Sequence, residues 1–297
     1  MERCNVIEIQ NLKKAYKNFE LNIKELDLPE GKFIGLIGEN GAGKTTLIKL
    51  LLNLIERNSG EIKIFGQDNR TSEIDIKNKI GIIFESCYFP SCMNSVDIEK
   101  MMCKLYKNWD KHRYLEYLAR FDLPPFKKIR EYSRGMKLKL NFAVVLAYEP
   151  DLIILDEATS GLDPIIRDEI LAILTDVVIT EGKSVLLSTH IISDLEKVAD
   201  YLTFIHDGNI VFSDYKDNIL NSYIIARFHK RDKTIIPQED VVASIYERDH
   251  IVILTKNKLN IINKLNIIKA EIFKEISIED IMLLYVKGVN DRDWSDV

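Results

Sequence analysis

The sequence contains few of the residues that mark disordered or disulfide-stabilised proteins. Its 297 residues include 13 glycines, 7 prolines and 4 cysteines, which argues against long low-complexity stretches. The cysteines, at positions 4, 87, 92 and 103, form no C-x-x-C pair and have no histidines at zinc spacing, so we expect reduced thiols. No apolar run approaches the roughly 20 residues that cross a bilayer, and the N-terminal residues lack the apolar segment of a secretory signal. These absences predict a soluble protein of the cell interior.

An excess of charge of one sign is missing as well. The 41 basic and 46 acidic residues leave a formal net charge of −5, and this balance gives no indication of a nucleic-acid partner. With 46% hydrophobic residues, the chain can bury one large core, or one core with a small appended domain.

The first part of the chain predicts strands, a glycine-rich loop and a helix. Alternating apolar residues before position 30 predict short antiparallel strands, with a turn at Asn11–Lys14. Lys32–Ile37 is a compact apolar strand, Thr45–Leu54 has the composition of a buried helix, and Ile62–Phe65 is a further strand. The order of strand, glycine-rich loop and helix is typical of α/β nucleotide-binding cores.

The middle of the chain changes character and then returns to the α/β pattern. From about residue 86 to residue 150, aromatic residues, lysine and methionine recur at helical spacing, which predicts a mainly helical insertion. Strands Leu152–Leu155 and Ser184–Ser188 then alternate with helices Pro164–Thr180 and Ile192–Ala199. Beyond residue 215 the chain carries β-rich stretches and a final helix, Ile278–Val286, without a recognisable motif.

The glycine-rich loop fits the pattern G-x-x-x-x-G-K-[ST], between the predicted strand and the predicted helix. Glycines let successive backbone N–H groups point at phosphate oxygens, and the start of the helix adds a partial positive charge. A lysine in this position reaches the β- and γ-phosphates, and the adjacent hydroxyl can bind magnesium. The predicted nucleotide-binding residues are Gly38, Asn40, Gly41, Ala42, Gly43, Lys44, Thr45 and Thr46.

Two carboxylates end the apolar strand that precedes the second half of the core. Asp156 and Glu157 are expected beside the phosphate-binding loop, since the ends of parallel strands meet at one edge of a sheet. There Asp156 can bind magnesium together with Thr45, and Glu157 can polarise the attacking water.

The stretch SRGMKLKLNFAVVLAYEPDLIILDEATSGLDP resembles the signature, Walker B and D-loop sequence of ATP-binding cassette (ABC) ATPases. The resemblance covers about residues 5–215. Three segments, namely LYKNWD at Leu105–Asp110, the SRGM signature and STHIISDLEKVADY, are more similar still to bacterial Ytr-type and bacitracin-exporter-type cassettes. The resemblance to ABC ATPases implies a P-loop NTPase core with a parallel sheet, an antiparallel β subdomain, a helical insertion and a small C-terminal α+β extension. The ATPase domain is expected at 1–215 and the extension at 216–297.

The resemblance also implies roles for single residues. Tyr16 would stack on the adenine of ATP, or else be an exposed strand aromatic. Glu157 would be the general base, and His190 would contact the γ-phosphate, although a lone histidine is often structural. Ser133 and Gly135 would bind the γ-phosphate of a nucleotide held by the opposite subunit. Asp163 would lie across the same dimer interface.

Two departures from the family pattern affect the site. The signature reads Tyr132–Ser133–Arg134–Gly135–Met136 where LSGGQ is usual, which keeps the serine and the second glycine and adds a positive charge. Glu85 takes the position of the Q-loop glutamine. It could still accept a hydrogen bond from a water molecule on the metal, but it adds negative charge near the triphosphate.

The resemblance finally implies partners. An integral-membrane permease on a separate chain is expected, with docking around Glu85–Cys103, where Tyr88, Phe89 and Met93 are either exposed docking residues or core. The chain would act as a homodimer, or as a heterodimer with a second ABC ATPase, at the cytoplasmic face of the membrane. Export is favoured over import. The alternative is a soluble ABC ATPase of translation or DNA repair, and no nucleic-acid partner is predicted. The C-terminal extension is either simple packing or a regulatory or dimer-stabilising domain.

Overall fold

The structure, a computed structural model, describes residues 4–84, 86–159, 162–256 and 259–288. The chain divides into two compact units, Met1–Ser213 and Asp214–Val297. In the first unit the strands are β1 (Asn5–Tyr16), β2 (Phe19–Pro29), β3 (Phe33–Ile37), β4 (Ser59–Ile64), β5 (Gln67–Asp68), β6 (Ile80–Phe84), β7 (Leu152–Asp156), β8 (Ser184–Thr189), β9 (Tyr201–His206) and β10 (Asn209–Tyr215), which extends two residues beyond it. The helices are α1 (Lys44–Leu51), α2 (Glu73–Lys77), α3 (Ser95–Leu105), α4 (Lys111–Arg120), α5 (Arg134–Ala147), α6 (Pro164–Glu181) and α7 (Ile192–Val198).

An antiparallel sheet opens the chain, in the order β2-β1-β4-β5. Strands β1 and β2 form a hairpin in which Ile9 is paired with Leu26 and Leu12 with Ile23, and all four side chains are buried. Alternate residues therefore supply the core face of this sheet, as the sequence pattern indicated. The expected antiparallel β subdomain is confirmed.

The predicted turn at Asn11–Lys14 is wrong, because β1 runs without interruption from Asn5 to Tyr16. Asn11 has a φ of 49°, and the register between β1 and β4 shifts between Gln10 and Lys13. A bulge therefore accommodates the polar residues inside a continuous strand, and asparagine tolerates the left-handed backbone that this requires.

A six-stranded sheet forms the centre of the first unit, in the order β10-β9-β3-β8-β7-β6. Neighbouring strands from β9 to β6 are parallel, and every residue of β3, β7 and β8 is buried. Apolar strands of this kind need cover on both faces. The carboxyl ends of β3, β7 and β8 consequently meet at one edge, where the residues after each strand come together.

The helical insertion lies between β6 and β7 and contains α3, α4 and α5, with a 3₁₀ turn at Ile129–Glu131. A capping box formed by Asn94 and Asp97 starts α3, and the buried Tyr114 hydroxyl of α4 donates to Ser95 O at 3.0 Å. Across the described part of the chain, no helix combines the length and apolar composition needed to span a membrane.

The second unit is an α+β structure with its own antiparallel sheet. Its strands are β11 (Tyr223–His229), β12 (Val241–Tyr246), β13 (His250–Lys256) and β14 (Glu271–Ile272), in the order β12-β13-β11-β14. Helices α8 (Lys216–Ser222), α9 (Leu259–Ile267) and α10 (Ile278–Lys287) complete it. Ile261 and Leu265 of α9 pack into a core with Ala226, Phe228 and Ile253 of the sheet.

Candidate functional site

The loop between β3 and α1 has a backbone shape that only glycine allows at several positions. A Cβ on Gly38 would lie 2.4 Å from Ile205 O, and a Cβ on Gly43 would lie 2.9 Å from Phe19 Cζ. Gly41 and Gly43 have φ values of 88° and 112°, in the region that side chains disfavour. Gly43 is also the N-cap of α1, so the loop leads into free backbone N–H groups at a helix start. This arrangement is suited to binding phosphate.

The ammonium group of Lys44 lies inside this loop and is largely shielded from solvent. Its Nζ donates to Gly38 O at 2.7 Å and to Glu39 O at 3.2 Å, and it lies 3.4 Å from Glu157 Oε1. The side chain is only 5% exposed. Among the described residues, Glu157 is the carboxylate that forms an ion pair with this buried positive charge, so Lys44 can bind a further anion.

A cavity of about 190 Å³ opens onto the loop; we call it the phosphate cradle. Its lining residues are Phe19, Glu39, Asn40, Gly41, Gly43, Lys44, Thr45, Thr46 and Glu157. Phe19 was not predicted from the sequence, where it is one of several apolar strand residues. Tyr16 is paired with Phe19 across the β1–β2 hairpin, with ring centroids 6.3 Å apart, and is half exposed.

Thr45, which lines the cradle, is in contact with Asp156. The Thr45 hydroxyl donates to Asp156 Oδ1 at 3.2 Å, and Asp156 is only 7% exposed. Burial raises the pKa of Asp156, the charge of Glu157 raises it further, and the hydrogen bond from Thr45 and the charge of Lys44 oppose the rise. A desolvated carboxylate beside a hydroxyl suits a hard divalent cation such as Mg²⁺, because the cation's charge offsets the cost of burial. Glu85, predicted to contribute to the metal site through a water molecule on the metal, lies outside the described residues.

Glu157 connects the cradle to His190. It follows β7 with a φ of 51°, and its N–H donates to Ser188 O at 3.0 Å. Glu157 Oε2 lies 2.8 Å from His190 Nδ1, while Oε1 lies near Lys44 Nζ. A non-glycine residue held in the left-handed region is a form of strain that recurs at functional sites. The carboxylate is thereby fixed between a lysine and a histidine, where it can accept a proton from water.

The signature residues lie apart from the phosphate cradle. Ser133 is the N-cap of α5, and its Oγ accepts from Met136 N–H at 3.2 Å. A Cβ on Gly135 would lie 3.1 Å from Ile166 Cδ1 of α6, and Asp163 caps α6 by accepting from Ile166 N–H at 3.0 Å. None of these residues is among the described residues that line the phosphate cradle. Packing of α5 against the start of α6 therefore places Ser133, Gly135 and Asp163 near one another, outside the lining of the cradle.

Comparison with known proteins agrees with this geometry. The family model described as ABC transporter matches residues 21–160. The chain is similar to the bacitracin transport ATP-binding protein BcrA of Enterococcus faecalis, at 33% identity over 231 residues that cover 77% of this chain and 72% of the relative. It is also similar to the protein of the same name from Bacillus licheniformis, at 28% identity over 304 residues that cover 97% of each chain. The solved structure of an ATP-binding subunit of an ABC transporter matches with a TM-score of 0.65 and 26% identity, covering 72% of this chain and 91% of that one.

Proposed function

Because the chain belongs to the ABC transporter family of ATP-binding proteins and is an ATPase, we propose that it uses Mg²⁺-ATP to drive a permease carried on a separate chain. The observation that carries this proposal is the continuous row of contacts from Lys44 through Glu157 to His190, at the carboxyl edge of the parallel sheet. Open α/β sheets bind their ligands at this edge.

Within one chain, each side chain of the row has a chemical task. Lys44 and the loop N–H groups bind the phosphates of ATP, and the incoming negative charge competes with Glu157 for the lysine. Thr45 and Asp156 would hold Mg²⁺, which neutralises phosphate charge when bound, and Glu85 would contribute nearby. Once Lys44 turns to phosphate, Glu157 is free to take a proton from the attacking water. His190 keeps that carboxylate oriented and contacts the γ-phosphate.

Ser133, Gly135 and Asp163 support a site completed by a second copy. Ser133 caps an exposed helix start that is not part of the cradle's lining, and the partial positive charge of a helix start is suited to a γ-phosphate presented from outside. We infer that two ATPase chains close head-to-tail around two ATP molecules, as a homodimer or as a heterodimer with a related subunit. Tyr16, half exposed at the hairpin, would stack on the adenine.

The permease is proposed to dock on the helical insertion. An apolar cavity of about 250 Å³ lies there, lined by Ile82, Phe84, Ser86, Tyr88, Phe89, Met102, Tyr106, Asn141, Val144, Val145 and Tyr148. Tyr88 is 77% exposed, which suits a residue covered by a partner. The similarity to two bacitracin transport proteins, together with the resemblance to exporter-type cassettes, supports an export-type transporter, with this chain on the cytoplasmic face of the membrane.

The test is the mass of the purified Glu157→Gln chain by light scattering, with and without Mg²⁺-ATP. This variant should bind ATP without hydrolysing it, so a monomer that becomes a dimer only with Mg²⁺-ATP is the expected result. Glu157→Gln combined with Lys44→Ala is the control and should stay monomeric. A single variant that remains a monomer at saturating ATP contradicts head-to-tail closure of this chain with itself.

A further inference from the structure

A largely buried ion pair, formed by two residues that have no role so far, joins α6 to α7. Arg167 Nη1 lies 3.6 Å from Asp194 Oδ1, and the two side chains are only 21% and 4% exposed. Arg167 belongs to the first turn of α6, and Asp194 to the first turn of α7. The pair therefore links the beginnings of two helices rather than their outer faces.

Each of these helix starts directly follows a functional segment. Arg167 Nη2 also donates to Leu162 O at 3.1 Å, and Leu162 precedes Asp163, the residue proposed to cross the dimer interface. Asp194 follows His190 by four residues, and its N–H donates to Ile191 O at 3.3 Å. One guanidinium thus contacts both the main chain before Asp163 and the helix after His190.

Stability does not explain this pair well. Among the described residues, neither Arg167 Nε nor Asp194 Oδ2 has a hydrogen-bond partner. Burial raises the pKa of Asp194, although the charges of Arg167 and Lys197 oppose the rise. Buried ion pairs with unsatisfied atoms contribute little net stability, because desolvation offsets their attraction. What such a pair does supply is a fixed relative position of the two segments it joins.

We propose that Arg167 and Asp194 are positioning residues for ATP hydrolysis, which keep the segment before Asp163 in register with His190. The proposal rests on the proposed function, because Asp163 acts across the dimer and His190 acts within its own chain. When the second ATPase chain closes against Asp163, the change is transmitted through Leu162 O and Arg167 to α7, and so to His190. The His190 ring lies 2.8 Å from the Glu157 carboxylate. Hydrolysis in one chain is thereby coupled to the arrival of the second chain.

The same two helices provide a matched control. Lys197 Nζ of α7 donates to Asp168 Oδ1 of α6 at 3.2 Å, and both side chains are 61% exposed. Exposed pairs of this kind contribute little. Among the described residues this pair makes no hydrogen bond to Leu162 or Asp194, and its two charges act on Asp194 in opposite directions. It differs from the Arg167–Asp194 pair in location and burial but joins the same elements.

The experiment compares two double-mutant cycles in the full chain, with kcat, KM and the affinity for a fluorescent ATP analogue measured for each variant. Arg167→Gln and Asp194→Asn should each lower kcat about tenfold, and the double variant should lose no more than either single one, since the pair acts as a unit. ATP affinity should stay within about twofold, because Lys44 and the cradle are untouched. Arg167→Lys should recover part of kcat. Asp168→Asn, Lys197→Gln and their double variant should stay within about twofold of the wild type.

The ATP-dependent dimer of the Glu157→Gln chain distinguishes failure of dimer closure from failure of the positioning role. If that parent does not dimerise, closure of this chain with itself fails, and with it the part of the proposed function on which the positioning role rests. If it does dimerise, Arg167→Gln and Asp194→Asn should leave the dimer intact in this background while slowing hydrolysis in the Glu157 background. Equal kcat in the buried-pair and control variants would overturn the inference. Losses of kcat that match the losses of ATP affinity or of thermal stability would also overturn the inference, because they would indicate a purely structural role.

Discussion

Two glycines of the phosphate-binding loop should respond differently to alanine and asparagine, because glycine is required at each for a different reason. At Gly38 the limit is space: an added Cβ would lie 2.4 Å from Ile205 O, a backbone atom, and 2.9 Å from Ile205 Cγ2. At Gly41 the limit is conformation, since φ is 88° and no atom of the described residues lies within 4 Å of the added Cβ.

The magnitudes follow from these two causes. A left-handed backbone costs a side chain about 1–2 kcal/mol, so Gly41→Ala should destabilise the chain by that amount. Overpacking costs about 1–3 kcal/mol and more when the backbone must move, so we expect about 3 kcal/mol for Gly38→Ala. Asparagine separates the causes: it tolerates a positive φ, so Gly41→Asn should cost less than Gly41→Ala. Gly38→Asn should cost more than Gly38→Ala because the side chain is larger.

Urea unfolding of the four variants without nucleotide measures these differences as changes in the free energy of unfolding. The wild-type chain, unfolded under the same conditions, gives the reference. If Gly38→Ala were as stable as the wild type, or if asparagine were worse than alanine at both positions, the assignment of space to one glycine and conformation to the other would be wrong.

Three further substitutions test the charges around the cradle. Asp156→Asn should make the nucleotide-free chain more stable at pH 7. Burial raises the pKa of Asp156 in the folded state, so folding disfavours the charged carboxylate. The stability of the wild-type chain therefore falls as pH rises from the ordinary pKa of aspartate to the raised one. Below the ordinary pKa of aspartate, Asp156 is neutral in both the folded and the unfolded wild-type chain, so urea unfolding should show that the stability gain of the variant disappears in acid. A constant gain at every pH contradicts this reasoning. His190→Ala removes the partner of Glu157 Oε2 and should lower kcat about 100-fold. ATP affinity should fall far less, because Lys44 and the loop remain, and an equal loss of affinity would show that His190 acts mainly in binding. Glu85→Gln should preserve binding of a fluorescent ATP analogue; complete loss would refute the placement of Glu85 in the Q-loop position.

Features fixed by neighbouring residues could be predicted from the sequence. The cradle needs glycines, a lysine and a helix start within a few positions, so its pattern identifies it, and Asp156–Glu157 are placed by the strand that they end. The antiparallel hairpin followed from alternation of apolar residues in β1 and β2. The turn at Asn11–Lys14 was predicted wrongly because polar residues at a bulge resemble a turn when the paired strand is unknown.

Features that depend on distant residues could not be predicted in the same way. Glu157 and His190 are 33 residues apart in sequence, and their contact exists only because β7 and β8 are neighbours in the sheet. Phe19 reaches the cradle through the hairpin, and its apolar side chain carries no signal that separates it from core residues. Arg167 and Asp194 were overlooked for a similar reason, since charged residues near helix starts are common at the surface. Their burial is a property of how α6 packs against α7.

The most direct test of a site shared between two chains is complementation between two inactive variants. Lys44→Ala removes the cradle lysine. Ser133→Asp keeps an N-cap for α5 but places a negative charge where the partner's γ-phosphate would bind. Each variant alone should be inactive while folded. When the two variants are mixed in equal amounts, half of the dimers should contain one copy of each. Each of these mixed dimers has one intact site of two, so about one quarter of wild-type ATPase activity should return. A mixture that stays inactive, under conditions where the wild-type chain hydrolyses ATP, would contradict a site built from both chains.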